Sequence, residues 1–330
     1  MDIESSIDNN CKICGNSINN KIHIATEMMY GMKDKFTYIE CDECGCLQIE
    51  KTPSNLSNYY PTNYYSYQFK LDTKQKIKLL IKSFLIGQRL TSSGLYNKLF
   101  SAYQGYSFLD FICNNNYLQK NTKVLDVGCG TGALLLQLKY LGFKYLKGVD
   151  PFIEDNIDYK NGVTVDKKYL SEVTEKYDFI MSHHSFEHME NPESSLKDIY
   201  NILSTNGSVL IRIPLASSFA WQKYGVNWVQ LDAPRHLYLH TIKSMTILAA
   251  KTGFEIVSTY FDSNEFQFLG SEQYLRDIPL SSKESYLSGK SKIFTQEQIK
   301  DYKIQALQLN EQRQGDQACF ILKKFLNESC

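Results

Sequence analysis

The 330-residue chain has no net charge: 36 lysines and arginines balance 36 aspartates and glutamates. It lacks the basic surplus that marks a nucleic-acid binder, although a local basic patch is compatible with the same total. It also lacks any apolar run near the ~20 residues needed to span a bilayer. The first ten residues, MDIESSIDNN, hold acids and no apolar core, which argues against a secretory signal there. Nine cysteines in 330 residues are too sparse for a disulfide scaffold. No internal repeat is present. These absences point to a cytoplasmic protein with room for one large domain and a small one.

What is present is concentrated. Residues 124–132 read Val-Leu-Asp-Val-Gly-Cys-Gly-Thr-Gly. Val124, Leu125 and Val127 suit a buried parallel strand, and Ala133, Leu134, Leu135, Leu136 and Leu138 open a helical pattern. A strand turning through glycines into a helix aims backbone N–H groups at a nucleotide-like ligand. Gly128, Gly130 and Ala133 also fit the dinucleotide pattern G-x-G-x-x-G/A, with Asp150 spaced to meet a ribose hydroxyl, so an NAD enzyme is one reading. Two details depart from it: Asp126 precedes the first glycine by two residues, and Gly132 closes the run one residue early. The bland alternative is a turn with no ligand, but three clustered glycines cost backbone entropy that an ordinary turn avoids.

Cys11-x-x-Cys14-Gly15 and Cys41-x-x-Cys44-Gly45 have the spacing of a four-thiolate zinc site. Ile22, Ile24, Phe36, Thr37, Tyr38 and Ile39 between them favour strands, as in a zinc ribbon. With all four ligands protein thiolates the site is closed, hence structural. About 45 residues without such a staple cannot build a sufficient core. Cys46 and His23 are spare candidates. Residues 51–66 read as a linker. Ile77, Leu80, Ile81, Phe84 and Leu85 then fall on one face of a helix over 74–86, with Lys74, Lys78 and Lys82 off it. That helix packs on the main domain or touches an anionic lipid surface. A second helix is expected over 94–115.

Further strands are expected at 145–150, 162–165, 177–182, 207–214, 254–261 and 318–325, with helices at 131–141, 193–203, 241–252 and 295–312. Asp150 ends the second strand, and Lys167 to Leu170 are expected to flank an adenine. At the end of the fourth strand stands His183-His184-Ser185-Phe186-Glu187-His188. Ligands of open α/β sheets bind at such strand ends, so a histidine there is a candidate general base; the competing reading is a Glu187–His188 pair bracing the loop. Both tryptophans fall in an insertion near 215–240, with Trp221, Tyr224, Trp228, Asp232, Arg235, His236 and His240. Such a loop suits a sugar ring; the alternative is a hydrophobic lid clamped by an Arg–Asp pair.

The run Asp126 to Gly132 resembles motif I of the class I S-adenosylmethionine-dependent methyltransferases, and Ser-Phe-Glu-His with Asn191-Pro192 resembles their segment after the fourth strand. The resemblance covers roughly 120–262 and extends to 316–326. It implies an α/β fold: a seven-stranded Rossmann-like class I methyltransferase sheet with helices on both faces and an antiparallel last strand, plus a small N-terminal zinc ribbon and a helical linker. The domains are then 1–50, 51–118 and 119–330. It implies that Asp126, Gly128, Cys129, Gly130, Gly132, Asp150, Pro151, Tyr169, Leu170 and His183 hold S-adenosylmethionine. Cys11, Cys14, Cys41 and Cys44 hold structural Zn2+. His188 or His236 is the expected base, with His184 in reserve, and Trp221, Tyr224, Trp228, Asp232 and Arg235 are expected to meet the substrate. The runs Asp232-Ala-Pro-Arg-His-Leu-Tyr and Tyr59-Tyr-Pro-Thr-Asn-Tyr-Tyr-Ser further resemble methyltransferases of bacterial glycan-biosynthesis clusters. The leading expectation is O-methylation of a sugar or glycolipid precursor. The rivals are a sugar C-methyltransferase, an RNA methyltransferase with the ribbon as clamp, an NAD-dependent oxidoreductase and a non-catalytic binding module. Oligomeric state is not legible.

Overall fold

The structure, a computed structural model, describes residues 9–61, 111–112, 115–289 and 293–325. The helix expected at 74–86, with its proposed lipid contact, lies outside these residues, as does nearly all of the helix expected at 94–115.

In chain order the strands are β1 (Lys21–Thr26), β2 (Lys35–Glu40), β3 (Leu47–Ile49), β4 (Lys123–Val127), β5 (Tyr145–Val149), β6 (Ile157–Asp158), β7 (Val163–Asp166), β8 (Tyr177–His183), β9 (Leu203–Pro214), β10 (Tyr238–Leu239), β11 (Phe254–Phe261) and β12 (Gln317–Lys324). The helices are α1 (Ala133–Tyr140), α2 (Pro192–Ile202), α3 (Phe219–Tyr224), α4 (Ile242–Lys251), α5 (Phe266–Leu275) and α6 (Gln296–Glu311). Several helix starts follow from capping chemistry. Thr241 accepts from the Ser244 N–H while the Ser244 side chain returns to the Thr241 N–H, a reciprocal cap repeated by Thr295 and Gln298. Ser218 caps α3 by accepting from the Trp221 N–H.

The large sheet runs β11-β12-β9-β8-β4-β5-β7-β6. It holds the seven expected strands and an eighth, the two-residue edge strand β6, which pairs antiparallel with β7 and makes the sheet mixed. Two residues are too short for a periodicity to reveal. Numbered in chain order, the seven long strands read 6-7-5-4-1-2-3, so the switch point lies between β4 and β8, outside whose carboxyl ends ligands bind. One boundary differs from expectation. β9 starts at Leu203, directly after α2 and four residues ahead of the strand expected at 207–214, so Thr205-Asn206-Gly207 lies inside it. A Cβ at Gly207 would lie 2.7 Å from Leu203 Cδ1, so this glycine serves close packing within a strand.

The chain divides into two compact units, through both of which β9 and β12 run. One comprises Thr62–Ser185, Lys197–Ile211 and Ile321–Cys330. Its core is the parallel ladder of β4 with β5 and β8, and Val124, Leu125, Phe179, Ile180 and Met181 are fully buried there. Continuous apolar strands suit a sheet covered on both faces. The other comprises Met1–Pro61, Phe186–Leu196 and Arg212–Phe320. Within it, β1, β2 and β3 form an antiparallel sheet that β10 completes: Tyr238 pairs with Gln48 and Leu239 with Leu47. The cysteine-bearing segment therefore shares its sheet with the end of the 215–240 insertion.

Candidate functional site

In the first unit, β4 leads into the glycine loop. Gly128 and Gly132 have φ of 69° and 78°, the left-handed region that glycine adopts without strain. A Cβ at Gly128 would lie 2.5 Å from Ser185 Cβ. Ser185 is held there by donating to the Val127 carbonyl at 2.7 Å. Asp150 fastens the loop: Oδ2 accepts from the Gly130 N–H at 2.8 Å and Oδ1 from the Phe152 N–H at 2.9 Å. Each oxygen retains a lone pair, so the expected ribose contact remains chemically open. Burial, and then the neighbouring Asp150 charge, push Asp126 well above the usual carboxylate range. Burial raises Asp150 as well, against the pull of its two N–H donors. Two buried carboxyls beside a backbone nest suit a ligand that carries both cationic groups and hydroxyls.

Cys129 lies in the same loop, and burial pushes its thiol up. The role of Gly148 was missed from sequence: a Cβ there would overlap Cys129 Sγ and come within 2.9 Å of Leu135 Cδ1. Nothing in the sequence distinguishes this glycine from any other in a strand. Pro151 follows Asp150 directly. Tyr169 is 61% exposed, and Leu170 opens a single 3-10 turn. His183 and His184 pack edge to face at 5.0 Å, with His184 at φ 51°.

In the second unit, Glu187, His188 and His236 each offer a ligand atom within 4.8 Å of the others. His188 Nδ1 lies 2.8 Å from the Arg235 carbonyl, and His236 Nδ1 lies 2.7 Å from the Gln230 carbonyl. A carbonyl only accepts, so each Nδ1 carries a proton, which in a singly protonated ring leaves the lone pair on Nε2. Tyr60 Oη stands 3.1 Å from His188 Nδ1, and the rings of His188 and His236 meet edge to face at 4.7 Å. Burial, with the His236 charge adding to it, holds His188 down to about 4, so it is neutral at pH 7. His236 Nε2 lies 3.9 Å from both Glu187 Oε1 and Asp232 Oδ2. Of the expected bases, His188 and His236 are together in this cluster, whereas His184 belongs to the first unit.

The same unit gathers the four cysteines. Cys11, Cys14, Cys41 and Cys44 each offer a sulfur within 4.8 Å of the others. Each turn is closed by a glycine N–H, Gly15 to Cys11 O and Gly45 to Cys41 O, both at 2.8 Å. The Cys44 N–H points at Cys41 Sγ, 3.4 Å away. A hydrogen bond from Cys44 pulls Cys11 down to about 5, while Cys44 itself is pushed up. The spare candidates serve elsewhere: His23 pairs with Glu40 at 2.8 Å, and buried Cys46 lies 4.0 Å from His240 Nδ1.

The aromatic insertion is largely buried. Trp228 is fully buried and donates to Asp316 at 3.1 Å. Trp221 is 8% exposed, packed between His23 and Trp228, and Tyr224 donates to Glu272 at 2.8 Å. Arg235 is fully buried, forked onto Asp232 (2.6 and 3.0 Å), and bonded to Glu27 (3.0 Å) and the Tyr59 carbonyl (3.3 Å). Burial works to raise Asp232, but Arg235 outweighs it and keeps the carboxyl below its ordinary range. In this structure these five side chains are largely buried and pack against or pair with other residues of the unit. Apolar and aromatic spacing does not reveal whether a ring faces a ligand or another ring.

Residues 101–259 match a family described as "Methyltransferase domain". Protein arginine N-methyltransferase 1 of Chlamydomonas reinhardtii is 35% identical over 88 residues, 23% of this chain and 25% of that protein. Ribosomal protein L11 methyltransferase of Thermotoga neapolitana is 40% identical over 75 residues, 20% of this chain and 28% of that one. The chain thus spans about a quarter of the length of these curated relatives. A solved SAM-dependent methyltransferase from Archaeoglobus fulgidus aligns over 70% of this chain and 100% of its own, at 19% identity and a TM-score of 0.40. The matched segment runs through β4 to β9 and most of β11, so this part of the chain is similar to a methyltransferase domain.

Proposed function

We propose that this protein is a cytoplasmic enzyme that O-methylates a sugar or glycan precursor of bacterial surface polysaccharide. The residues of the glycine loop fit S-adenosylmethionine: a strand-to-helix turn of three left-handed glycines, with Asp126 and Asp150 as buried carboxyls. The bound sulfonium supplies an already activated methyl group. What remains for the chain is to orient the acceptor and take its proton. The observation that carries the reading is the fixed tautomer of His188 and His236, each with Nδ1 tied to a backbone carbonyl and Nε2 left as acceptor. Glu187 and Asp232 lie where they stabilise an imidazolium at His236.

With Trp221 and Trp228 in the core, the sugar acceptor is supported by the resemblance of the Asp232–Tyr238 run to glycan-cluster methyltransferases. The four thiolates are read as a closed structural zinc site, each sulfur within ligand reach of the rest. The test is calorimetry with S-adenosylmethionine and with NAD, followed by labelled methyl transfer to a panel of nucleotide sugars. Binding of the first cofactor alone is expected. His188→Ala and His236→Ala are expected to lose about 100-fold or more in turnover with cofactor affinity retained. Full turnover in both variants sinks the assignment. A methylated carbon in the product would move the reading to a sugar C-methyltransferase, a class that also pairs a zinc module with this fold.

A further inference from the structure

The edge strand β6, which no sequence periodicity announces, is two residues long and pairs with β7 at Ile157–Val165 and Asp158–Thr164. So short a ribbon has little stability of its own. Side chains brace it at both ends. At the tip, Asp158 accepts from the Lys160 N–H at 2.8 Å and from Lys160 Nζ at 2.7 Å, and Asn161 Oδ1 accepts from the Val163 N–H at 3.0 Å. At the open end, Asn156 Oδ1 accepts from the Lys167 N–H at 2.7 Å, and Lys167 Nζ donates to the Glu154 carbonyl at 2.9 Å. Two ladder pairs add little to an eight-stranded sheet, so the bracing serves what the hairpin carries.

What it carries is Tyr159. This half-buried side chain reaches the glycine loop, where its hydroxyl donates to the Thr131 carbonyl at 2.6 Å. At the other edge of the same peptide plane, the Gly132 N–H donates to the Cys129 carbonyl at 2.9 Å. Val165 of β7 closes the space beside it: a Cβ at Gly132 would lie 2.9 Å from Val165 Cγ2. Gly132 stands at φ 78° and ψ 30°. Glycine takes positive and negative φ about equally well, so turning this plane over costs Gly132 itself little. The glycine therefore leaves the orientation open, and its partners choose it. Asp150, at the end of β5, acts on the neighbouring Gly130 N–H in the same way.

We propose that Tyr159 is a positioning residue of the cofactor loop: its hydroxyl latches the Thr131–Gly132 peptide in the orientation that receives S-adenosylmethionine. The identity of the ligand rests on the function proposed above; the latch does not. A loop that spends part of its time with this plane turned binds its ligand more weakly, in proportion to the competent fraction lost. Loss of one neutral hydrogen bond corresponds to about 2- to 10-fold in such an equilibrium.

The test uses the full-length protein with Tyr159→Phe, which keeps the ring and removes the hydroxyl. Amide exchange of Gly132, read by NMR on glycine-labelled protein without ligand, is expected to quicken about 2- to 10-fold. The Gly128 N–H, donated to the Val149 carbonyl at 2.8 Å, is the internal control and is expected to keep its rate. Calorimetry is expected to show a matching loss of S-adenosylmethionine affinity. Lys160→Gln, which removes the ion pair at the hairpin tip and leaves the hydroxyl, is expected to keep both wild-type values. Wild-type Gly132 exchange in Tyr159→Phe overturns the proposal. So does a lowered Tm with unchanged affinity, which is the mark of a merely structural contact, and so does a Lys160→Gln protein that matches Tyr159→Phe in both readouts. Should the wild type bind NAD in place of S-adenosylmethionine, the expected exchange result with a matching loss of NAD affinity upholds the latch, and the cofactor reading alone falls.

Discussion

Arg235→Ala is the sharpest perturbation of the second unit. Its guanidinium is fully buried, and it holds Asp232 with two bonds, Glu27 with one and the Tyr59 carbonyl with another. The ring of Tyr30 lies 5.4 Å from its centre. Glu27 is itself fully buried, and its oxygens also accept the Tyr30 and Met32 N–H groups at 2.9 Å. Removing the arginine strands two carboxylates away from water, and breaking one buried pair costs about 3–5 kcal/mol. For a domain of this size that is a fall in Tm of about 6–20 °C. Thermal melts followed by tryptophan fluorescence suit the measurement, since Trp221 and Trp228 lie in the same unit. Arg235→Lys recovers only part, because a point charge cannot span partners on three sides. Glu27→Ala and Arg235→Ala should cost less together than the sum of each alone, since both break the same pair. An Arg235→Ala protein with the wild-type Tm and a raised KM for the acceptor alone would refute the clamp and restore this arginine to the substrate.

Two further outcomes follow from buried groups. Burial holds His240 down to about 3, so below its unfolded value near 6.5 the unfolded chain takes up a proton that the folded one resists. Its stabilisation is complete above pH ~6.5 and falls by about 1.4 kcal/mol per pH unit towards pH 3, so urea midpoints should drop across that window and His240→Leu should flatten the slope. Gly148→Ala forces a methyl into Cys129 Sγ and Leu135, and calorimetry should show at least about a tenfold loss of S-adenosylmethionine affinity, part of which Cys129→Ala restores.

The legible parts of this fold were those where local chemistry and tertiary environment agree. Val124 to Gly132 reads as strand, loop and helix because the apolar run, the left-handed glycines and the leucines each have one physical solution. The paired Cys-x-x-Cys motifs are legible for the same reason, since the glycine after each closes the turn that aims the sulfurs together. Trp228 and Arg235 show the opposite. A tryptophan with its N–H on Asp316 and one stacked on a ligand have identical sequences around them, and only burial separates the two. Arg235 finds Glu27 more than 200 residues earlier, a pairing that no window of sequence contains. The histidine cluster was half visible: His188 and His236 were both singled out, but their shared tautomer depends on carbonyls at 230 and 235 that carry no side-chain signature.

The pairing of β3 with β10 has a consequence for how the chain is made. Leu47 and Gln48 leave the ribosome long before Leu239 and Tyr238, which complete their sheet. At about 5–20 residues per second, the interval of roughly 190 residues lasts some 10–40 s. Throughout it, the cysteine segment has its four cysteines synthesised but the open edge of β3 exposed. Early capture of a metal ion would then act as a placeholder during synthesis, holding the first three strands in register until the last arrives.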